Sequence, residues 1–123
     1  MKKEMGKVVL LVDDNDDQRK FLAAMLITNG LLPVSASSGQ QALDIFKQHR
    51  AVIDAVVLDV RLKGETGFDV YKLLYQIDKN VNVVFMSADA VETPDGKPIL
   101  QKPFSPGQLS DALIRAKYFD ETG

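Results

Sequence analysis

The feature that most constrains the fold is a short aliphatic run that recurs along the chain. Residues 8–12 read VVLLV and residues 55–58 read AVVL, without a polar side chain in either run. A continuous apolar run is typical of a strand that is buried on both faces of a parallel sheet. Related segments at residues 32–36, 81–86 and 98–101 bring the number of predicted strands to five.

Helical patterns follow four of the five predicted strands. Apolar residues recur at helical spacing in four segments: Phe21, Leu22, Met25 and Leu26; Ala42, Leu43 and Phe46; Val70, Leu73, Leu74 and Ile77; and Leu109, Ala112, Leu113 and Ala116. The third helix is predicted over residues 68–78. Ser38 with Gln41 predicts a capping box, and Ser105 before Pro106 predicts an N-cap. Strands that alternate with helices in this way predict an α/β domain, doubly wound around a parallel sheet.

Composition limits what such a chain can do. Its 123 residues suffice for one domain, which we take as residues 1–123. The absence of cysteine excludes disulfides and zinc-thiolate sites. With 15 basic and 17 acidic residues, the chain has no excess positive charge that would favour direct binding of nucleic acid. Met1 to Lys7 is polar and no apolar stretch reaches membrane length, so we expect a cytoplasmic protein that does not bind membranes.

Polar side chains follow four of the five predicted strands, at the point where each strand ends. Asp13 and Asp14 follow the first strand, Asp59 the third, Ser87 the fourth and Lys102 the fifth. Because the carboxyl ends of parallel strands meet at one edge of a sheet, we expect these side chains to share a site. Three carboxylates gathered there would repel one another, which a divalent cation would offset. Mg²⁺, with Mn²⁺ as an alternative, suits an open site that also receives a phosphoryl group.

These groups together point to phosphoryl transfer. Asp59 is the predicted nucleophile, because a carboxylate that attacks phosphorus forms an acyl phosphate. The metal ion, the Lys102 ammonium and the Ser87 hydroxyl would hold the phosphoryl oxygens. Taken singly, each residue has a plainer interpretation, such as a turn aspartate, a solvated lysine or a loop hydroxyl.

In this order the motifs resemble the receiver domain of bacterial two-component response regulators, over about residues 7–118. The segments that carry the resemblance are LLVDDN at 10–15, LDVRLKGETG at 58–67, MSAD at 86–89 and QKPF at 101–104. The resemblance implies a flavodoxin-like fold with five strands in the order 2-1-3-4-5. It also implies a phosphoprotein of two-component signal transduction. Such a domain is not an enzyme with an external substrate, although it catalyses its own phosphorylation and dephosphorylation.

The resemblance assigns roles to the acidic residues. Asp59 would accept a phosphoryl group from a histidine kinase or a histidine phosphotransfer protein, as a switch or a phosphorelay module. Asp14 and Asp59 would bind Mg²⁺ directly, Asp13 would act through water, and Arg61 would contribute its backbone carbonyl.

The resemblance also assigns roles around the phosphoryl group. Lys102 would form an ion pair with that group, and Ser87 would close on it. The Lys102–Pro103 peptide bond would be cis. Gly67 would turn the chain after the loop that carries the phosphoacceptor.

The segment before the fifth strand departs from the family. Only fourteen residues lie between Ser87 and Lys102, whereas the family usually has a longer segment that contains its fourth helix. Pro94 and Gly96 interrupt any helix in the sequence DAVETPDGK at residues 89–97. We therefore predict that the fourth helix of the family is missing or reduced to a turn.

Three residues are predicted to modulate the site. Ile99 stands where the family usually has an aromatic ring that swings inward on phosphorylation, and isoleucine is stiff about χ1. We expect either another route for the signal or transfer of phosphate without a large change of shape. Arg61 and Asp89 follow Asp59 and Ser87 by two residues each. An ion pair between them would cross the entrance to the site and slow the loss of phosphate.

The sequence leaves two other functions open. One is a Mg²⁺-dependent phosphatase with an aspartyl nucleophile, although such enzymes usually carry a second acid where this chain has Arg61. The other is a degenerate receiver that serves as an interaction module. A weak homodimer also remains open as a partner, and His49, the single histidine, is predicted to lie at a helix end.

Overall fold

A computed structural model describes residues 7–122, with side chains as far as Ala116. Residues 1–6 and residue 123, which the predicted domain includes, lie outside the described residues. The sheet contains β1 (Val8–Val12), β2 (Leu32–Ala36), β3 (Ile53–Asp59), β4 (Val83–Ser87) and β5 (Ile99–Gln101). The helices are α1 (Asp16–Thr28), α2 (Gly39–His49), α3 (Gly67–Ile77) and α4 (Pro106–Thr122).

Within the described residues the five strands form one parallel sheet in the order β2-β1-β3-β4-β5. This is the flavodoxin-like order 2-1-3-4-5 that was predicted. β1 and β3 lie inside the sheet with helices on both sides, which explains why their aliphatic runs do not alternate with polar residues. The polar ends of β1, β3, β4 and β5 therefore reach the same edge.

The core is divided by the sheet into two clusters. Leu10 and Val12 point to the side covered by α2 and α3, where Phe46, Val70 and Leu74 are buried with them. Successive side chains of a strand point to opposite faces. The other face accordingly carries Val9, Leu11 and Val57, and it packs against residues of α1 and α4, namely Leu22, Met25, Leu26, Leu109, Ala112 and Ala116.

Two residues that the sequence analysis placed on apolar helix faces are exposed. Phe21 of α1 is 65% exposed and Leu73 of α3 is 43% exposed. The other predicted residues of α1 are buried, namely Leu22, Met25 and Leu26, whereas in α3 Tyr71 is buried beside Val70 and Leu74. The spacing of apolar residues predicted the helices and most of their buried faces correctly, but not the edge of each face.

Side chains cap all four described helices. Ser38 Oγ accepts a hydrogen bond from the Gln41 amide at 3.1 Å, as predicted, whereas Gln41 Oε1 accepts the return bond from the Ser37 amide at 2.7 Å. Ser105 and Gln108 form a complete capping box at α4, with bonds of 3.1 and 2.8 Å. Asn15 caps α1 and Thr66 caps α3. None of the described helices is long and apolar enough to cross a membrane.

The segment between β4 and β5 contains no α-helix. Its regular structure is a single 3₁₀ turn at Pro94–Gly96, inside which Asp95 adopts a φ of 57°. The predicted loss of the family's fourth helix is thus confirmed. The segment is held in place because Val91 packs against the α2 and α3 side of the core and the Tyr71 hydroxyl donates a hydrogen bond of 2.7 Å to Asp95.

Some boundaries differ from those predicted. β3 begins at Ile53, two residues before the predicted start, and β4 begins at Val83 rather than at residue 81. Val81 is buried, but its amide bonds to the Asp78 carbonyl at 3.1 Å and so does not join the sheet. A small antiparallel ladder between Arg61–Leu62 and Glu65–Thr66 was not predicted.

Candidate functional site

Three buried polar residues meet at the carboxyl edge of the sheet. Asp13 follows β1, Asp59 ends β3 and Ser87 ends β4, and their exposed fractions are 1%, 5% and 3%. They are the only polar residues buried in the part of the chain that the structure describes. Buried carboxylates carry a large desolvation cost unless they are paired, so their position indicates a functional site rather than a structural one.

Lys102 supplies the positive charge at this edge. Its Nζ donates a hydrogen bond of 2.5 Å to Asp59 Oδ2 and lies 3.7 Å from Asp13 Oδ2. The ammonium therefore stands beside both buried carboxylates and offsets their mutual repulsion. Lys102 is joined to Pro103 by a cis peptide bond, as the resemblance implied.

The sequence analysis missed Gln18 as a residue of this site. Gln18 Oε1 accepts a second hydrogen bond from Lys102 Nζ at 2.7 Å. A glutamine in the first turn of a helix carries no motif, and its contact is with a residue 84 positions away. No local pattern could have identified it.

Asp13 has one satisfied and one unsatisfied oxygen. Its Oδ1 accepts a hydrogen bond of 2.9 Å from the Asn15 amide, whereas Oδ2 is buried and forms no hydrogen bond. Burial raises the pKa of Asp13 above its usual value. The negative charge of Asp59 raises this pKa further, while the Asn15 amide and the Lys102 ammonium lower it.

The expected gathering of three carboxylates is seen only in part. Asp13 and Asp59 lie together, but Asp14 is exposed. Among the described residues, no group of three or more His, Cys, Asp or Glu side chains lies close enough together to hold a metal ion. Asp13 is buried directly after the end of β1, whereas Asp14 belongs to the exposed start of the following segment.

The residues present nevertheless fit Mg²⁺. This ion keeps several waters and needs only one or two carboxylates. Asp59 provides carboxylate oxygen of the kind the ion binds, and Asp13 Oδ2, which is buried and forms no hydrogen bond, would accept a bond from a water on the ion. The direct role of Asp14 and the role of the Arg61 carbonyl stay predictions.

The backbone around Asp59 is tightly arranged. The Arg61 amide donates a hydrogen bond of 2.8 Å to Asp59 Oδ1, and the Gly67 amide donates one of 2.7 Å to the Val60 carbonyl. A Cβ atom at Gly67 would lie 2.2 Å from the Asp59 carbonyl oxygen. Only glycine allows the chain to pass this close to the end of β3.

The predicted ion pair between Arg61 and Asp89 is present. Arg61 Nη2 lies 2.9 Å from Asp89 Oδ2, and the two side chains are 80% and 60% exposed. The Asp89 amide also donates a hydrogen bond of 3.0 Å to Ser87 Oγ. The pair therefore links the loop after β3 to the segment after β4. It lies beside Asp59 and Ser87, the last residues of those two strands.

Ile99 and His49 lie outside the cluster of charged residues at the edge of the sheet. Ile99, in β5, is half-buried against the α2 and α3 side of the core, beside its sheet partner Phe85. His49 is the exposed last residue of α2, which agrees with the predicted helix end.

Comparison with known proteins identifies the family. A family model described as "Response regulator receiver domain" matches residues 9–114. The chain belongs to the response regulator receiver domain family. The matched range contains Asp13, Asp59, Ser87 and Lys102, the residues that the sheet brings to its edge.

Two curated relatives differ in length. This receiver is 31% identical over 116 residues to sporulation initiation phosphotransferase F of Bacillus subtilis, a match that covers 89% of this chain and 92% of that protein. It is 33% identical over 120 residues to the probable transcriptional regulator ycf27 of Guillardia theta. That match covers 92% of this chain but only 46% of the relative, so the receiver spans less than half of that protein.

Solved structures agree with the fold. A response regulator receiver protein from Sinorhizobium medicae is 31% identical, with a TM-score of 0.80 and coverage of 95% of this chain and 98% of that one. CheY in the CheX-CheY-BeF3-Mg+2 complex from Borrelia burgdorferi is 25% identical, with a TM-score of 0.81 and coverage of 88% and 87%. The receiver fold is therefore common to this chain and to a protein solved with magnesium and a fluoroberyllate.

Proposed function

We propose that this receiver accepts a phosphoryl group on Asp59 from a phosphohistidine of a histidine kinase or a histidine phosphotransfer protein. The observation that carries the proposal is the contact of 2.5 Å between Asp59 Oδ2 and Lys102 Nζ, beside the Oδ2 of Asp13, which forms no hydrogen bond. A carboxylate held in this way is fixed in place and has a cation next to the oxygen that would react.

The reaction is a simple displacement. An oxygen of Asp59 attacks phosphorus, an acyl phosphate bond forms, and the bond from phosphorus to the histidine nitrogen breaks. Lys102 moves with the transferred group and holds one of its oxygens. The Ser87 hydroxyl, which now accepts a hydrogen bond from the Asp89 amide, turns to donate to another oxygen.

The reaction is proposed to depend on Mg²⁺. Asp14, Asp59 and the Arg61 carbonyl would hold the ion directly, and Asp13 would hold it through water. When bound, Mg²⁺ supplies positive charge that stabilises the phosphoryl oxygens during transfer. The magnesium complex of the similar Borrelia burgdorferi CheY supports this dependence.

Two observations favour a phosphorelay module over a switch with a large change of shape. Ile99 provides no aromatic ring to move, and the segment after β4 lacks the helix that the family usually has there. Phosphotransferase F, a relative of nearly the same length, is by its name a protein that transfers phosphate. The partner would approach along α1, where the Phe21 ring is 65% exposed.

Intact-mass measurement tests this function. The protein is incubated with acetyl phosphate and Mg²⁺, and we expect the added mass of one phosphoryl group in the wild type but not in Asp59→Asn or in the presence of EDTA. Release of phosphate with turnover and without an adduct would instead favour the phosphatase. Neither an adduct nor turnover would favour the interaction module.

A further inference from the structure

The Lys102 ammonium is held by a residue outside the family's acidic and basic motifs. It donates hydrogen bonds of 2.5 Å to Asp59 Oδ2 and 2.7 Å to Gln18 Oε1. We propose that Gln18 is a positioning residue for phosphoryl transfer, whose side-chain oxygen keeps this ammonium beside the phosphoacceptor. The inference rests on the proposed function of Asp59.

Gln18 is itself fixed by a chain of hydrogen bonds that begins at Asp13. Asp13 Oδ1 accepts from the Asn15 amide at 2.9 Å, and Asn15 Oδ1 accepts from the Gln18 amide at 2.9 Å as the N-cap of α1. The Gln18 side chain then reaches Lys102, which reaches Asp59. The backbone of the positioning residue is thus tied to one buried carboxylate, and its side chain is tied through the ammonium to the other.

Lysine needs such a partner more than arginine would. Its ammonium is a compact charge at the end of a flexible four-carbon chain, and it has three N–H donors. Asp59 and Gln18 use two of these donors, which leaves one for an oxygen of the incoming phosphoryl group. With Gln18 removed, the ammonium keeps its bond to Asp59 and its longer contact with Asp13, and it samples more orientations beside them.

An amide suits this position better than a carboxylate. Glutamine accepts a hydrogen bond without adding negative charge to an edge that already holds Asp13 and Asp59. A glutamate at position 18 would still bind the ammonium, but it would repel the negatively charged phosphoryl donor. The phosphorylation rate should therefore depend on salt more strongly when position 18 carries a glutamate than when it carries an uncharged side chain without the amide oxygen.

The first experiment measures the rate at which acetyl phosphate with Mg²⁺ phosphorylates Asp59. We expect Gln18→Met, which keeps the length of the side chain but lacks the amide oxygen, to be slower by about fivefold, equivalent to about 1 kcal/mol. Gln76→Met, the same change at an exposed position of α3, is expected to react like the wild type. Gln18→Glu should be slower still at low ionic strength and should recover as salt is added.

The second experiment separates positioning from a general structural role. If Gln18 acts through Lys102, the change Gln18→Met has no further effect on the phosphorylation rate in a Lys102→Met background. An equal loss of rate in both backgrounds, or a wild-type rate for Gln18→Met, would overturn the proposal.

A third measurement does not require phosphorylation. In protein labelled with ¹⁵N-lysine, we expect the Lys102 ammonium protons of the unphosphorylated wild type to exchange slowly with water, and those of Gln18→Met to exchange faster. Unchanged exchange would reject the contact with Gln18. If the wild type accepted no phosphoryl group, the proposed function of Asp59 would fail, whatever the exchange result. Failure of the Gln18 contact and failure of the proposed function are therefore distinguishable.

Discussion

Gly67 shows how one residue can decide the shape of the site. A Cβ atom there would lie 2.2 Å from the Asp59 carbonyl oxygen, which is part of the backbone and cannot rotate away. We expect Gly67→Ala to lower the free energy of unfolding by about 1–3 kcal/mol, as overpacked positions do. The loss of phosphoacceptor activity should be larger than the loss of stability implies, because the displaced atom belongs to Asp59.

Chemical denaturation of Gly67→Ala and of two other glycine variants measures this effect. At Gly107, in α4, an added Cβ would have its nearest neighbour at 3.8 Å, so Gly107→Ala should be neutral or slightly stabilising. Gly64→Ala is the second comparison, because at a φ of 77° an alanine is strained although its Cβ would have no neighbour within 4 Å. A loss at Gly67 no greater than that at Gly64 would contradict the steric explanation.

The Arg61–Asp89 ion pair leads to a kinetic prediction. Because it lies beside Asp59 and Ser87, it should hinder the water that hydrolyses the acyl phosphate. An exposed pair contributes at most about 1 kcal/mol, so Asp89→Ala should shorten the lifetime of the phosphorylated protein by no more than a few-fold. The decay of the phosphorylated mass, followed in parallel for the exposed control Glu92→Ala, measures this change.

Salt provides a check on the same pair. Salt screens the attraction between exposed charges. The difference between the wild type and Asp89→Ala in the lifetime of the phosphorylated protein should therefore shrink at high ionic strength. Equal lifetimes of the two proteins at low salt would show that the pair does not protect the phosphoryl group.

At the scale of elements, the segment that replaces a helix is held by α3. The Tyr71 ring packs edge-on against Phe85 with centroids 5.7 Å apart, and its hydroxyl bonds to Asp95 at 2.7 Å. Tyr71→Phe keeps the ring and removes this hydrogen bond. We expect a loss of about 1 kcal/mol in stability and faster amide exchange across residues 89–97.

Tyr75→Phe is the matched control for that prediction. Tyr75 lies on the same helix and is 42% exposed, and its ring lies 6.0 Å from that of Tyr71. Hydrogen exchange followed by NMR should find residues 89–97 unaffected in this variant. Equal exchange in both variants would mean that the Asp95 contact does not hold the segment.

Elements were predicted best where local chemistry decides them. Pro94 and Gly96 ruled out a helix between β4 and β5, and Ser105 before Pro106 marked the start of α4, because each acts on its own backbone. The outward position of Phe21 was not predicted. Which stripe of a helix is buried depends on the sheet it packs against and on its neighbours.

For the whole molecule, a connected path of contacts runs from the phosphoryl site into the segment between β4 and β5. Ser87 bonds to the Asp89 amide, Asp89 pairs with Arg61, and the same segment continues to the Tyr71–Asp95 contact. A phosphoryl group that draws the Ser87 hydroxyl inward would disturb this path first. We expect addition of beryllofluoride and Mg²⁺ to shift the amide signals of residues 87–97 strongly and those of Ile99 and α4 weakly.

The sites of change in that NMR experiment decide between two outputs. Shifts confined to residues 87–97 would support a phosphorelay module, because the surface of β5 and α4 would stay the same. Large shifts in α4 would show that the signal reaches that helix without an aromatic ring at position 99. Asp59→Asn, treated identically, should give neither set of shifts.

The sequence by itself determined the order of strands and helices and the polar residues that end β1, β3, β4 and β5. These follow from apolar runs, helical spacing and the rule that parallel strands present their carboxyl ends together. The tertiary structure alone decided that Asp13 is buried while Asp14 is exposed, and that Gln18 holds Lys102 across 84 positions of sequence. Such contacts depend on how side chains from distant segments pack, and no local pattern encodes them.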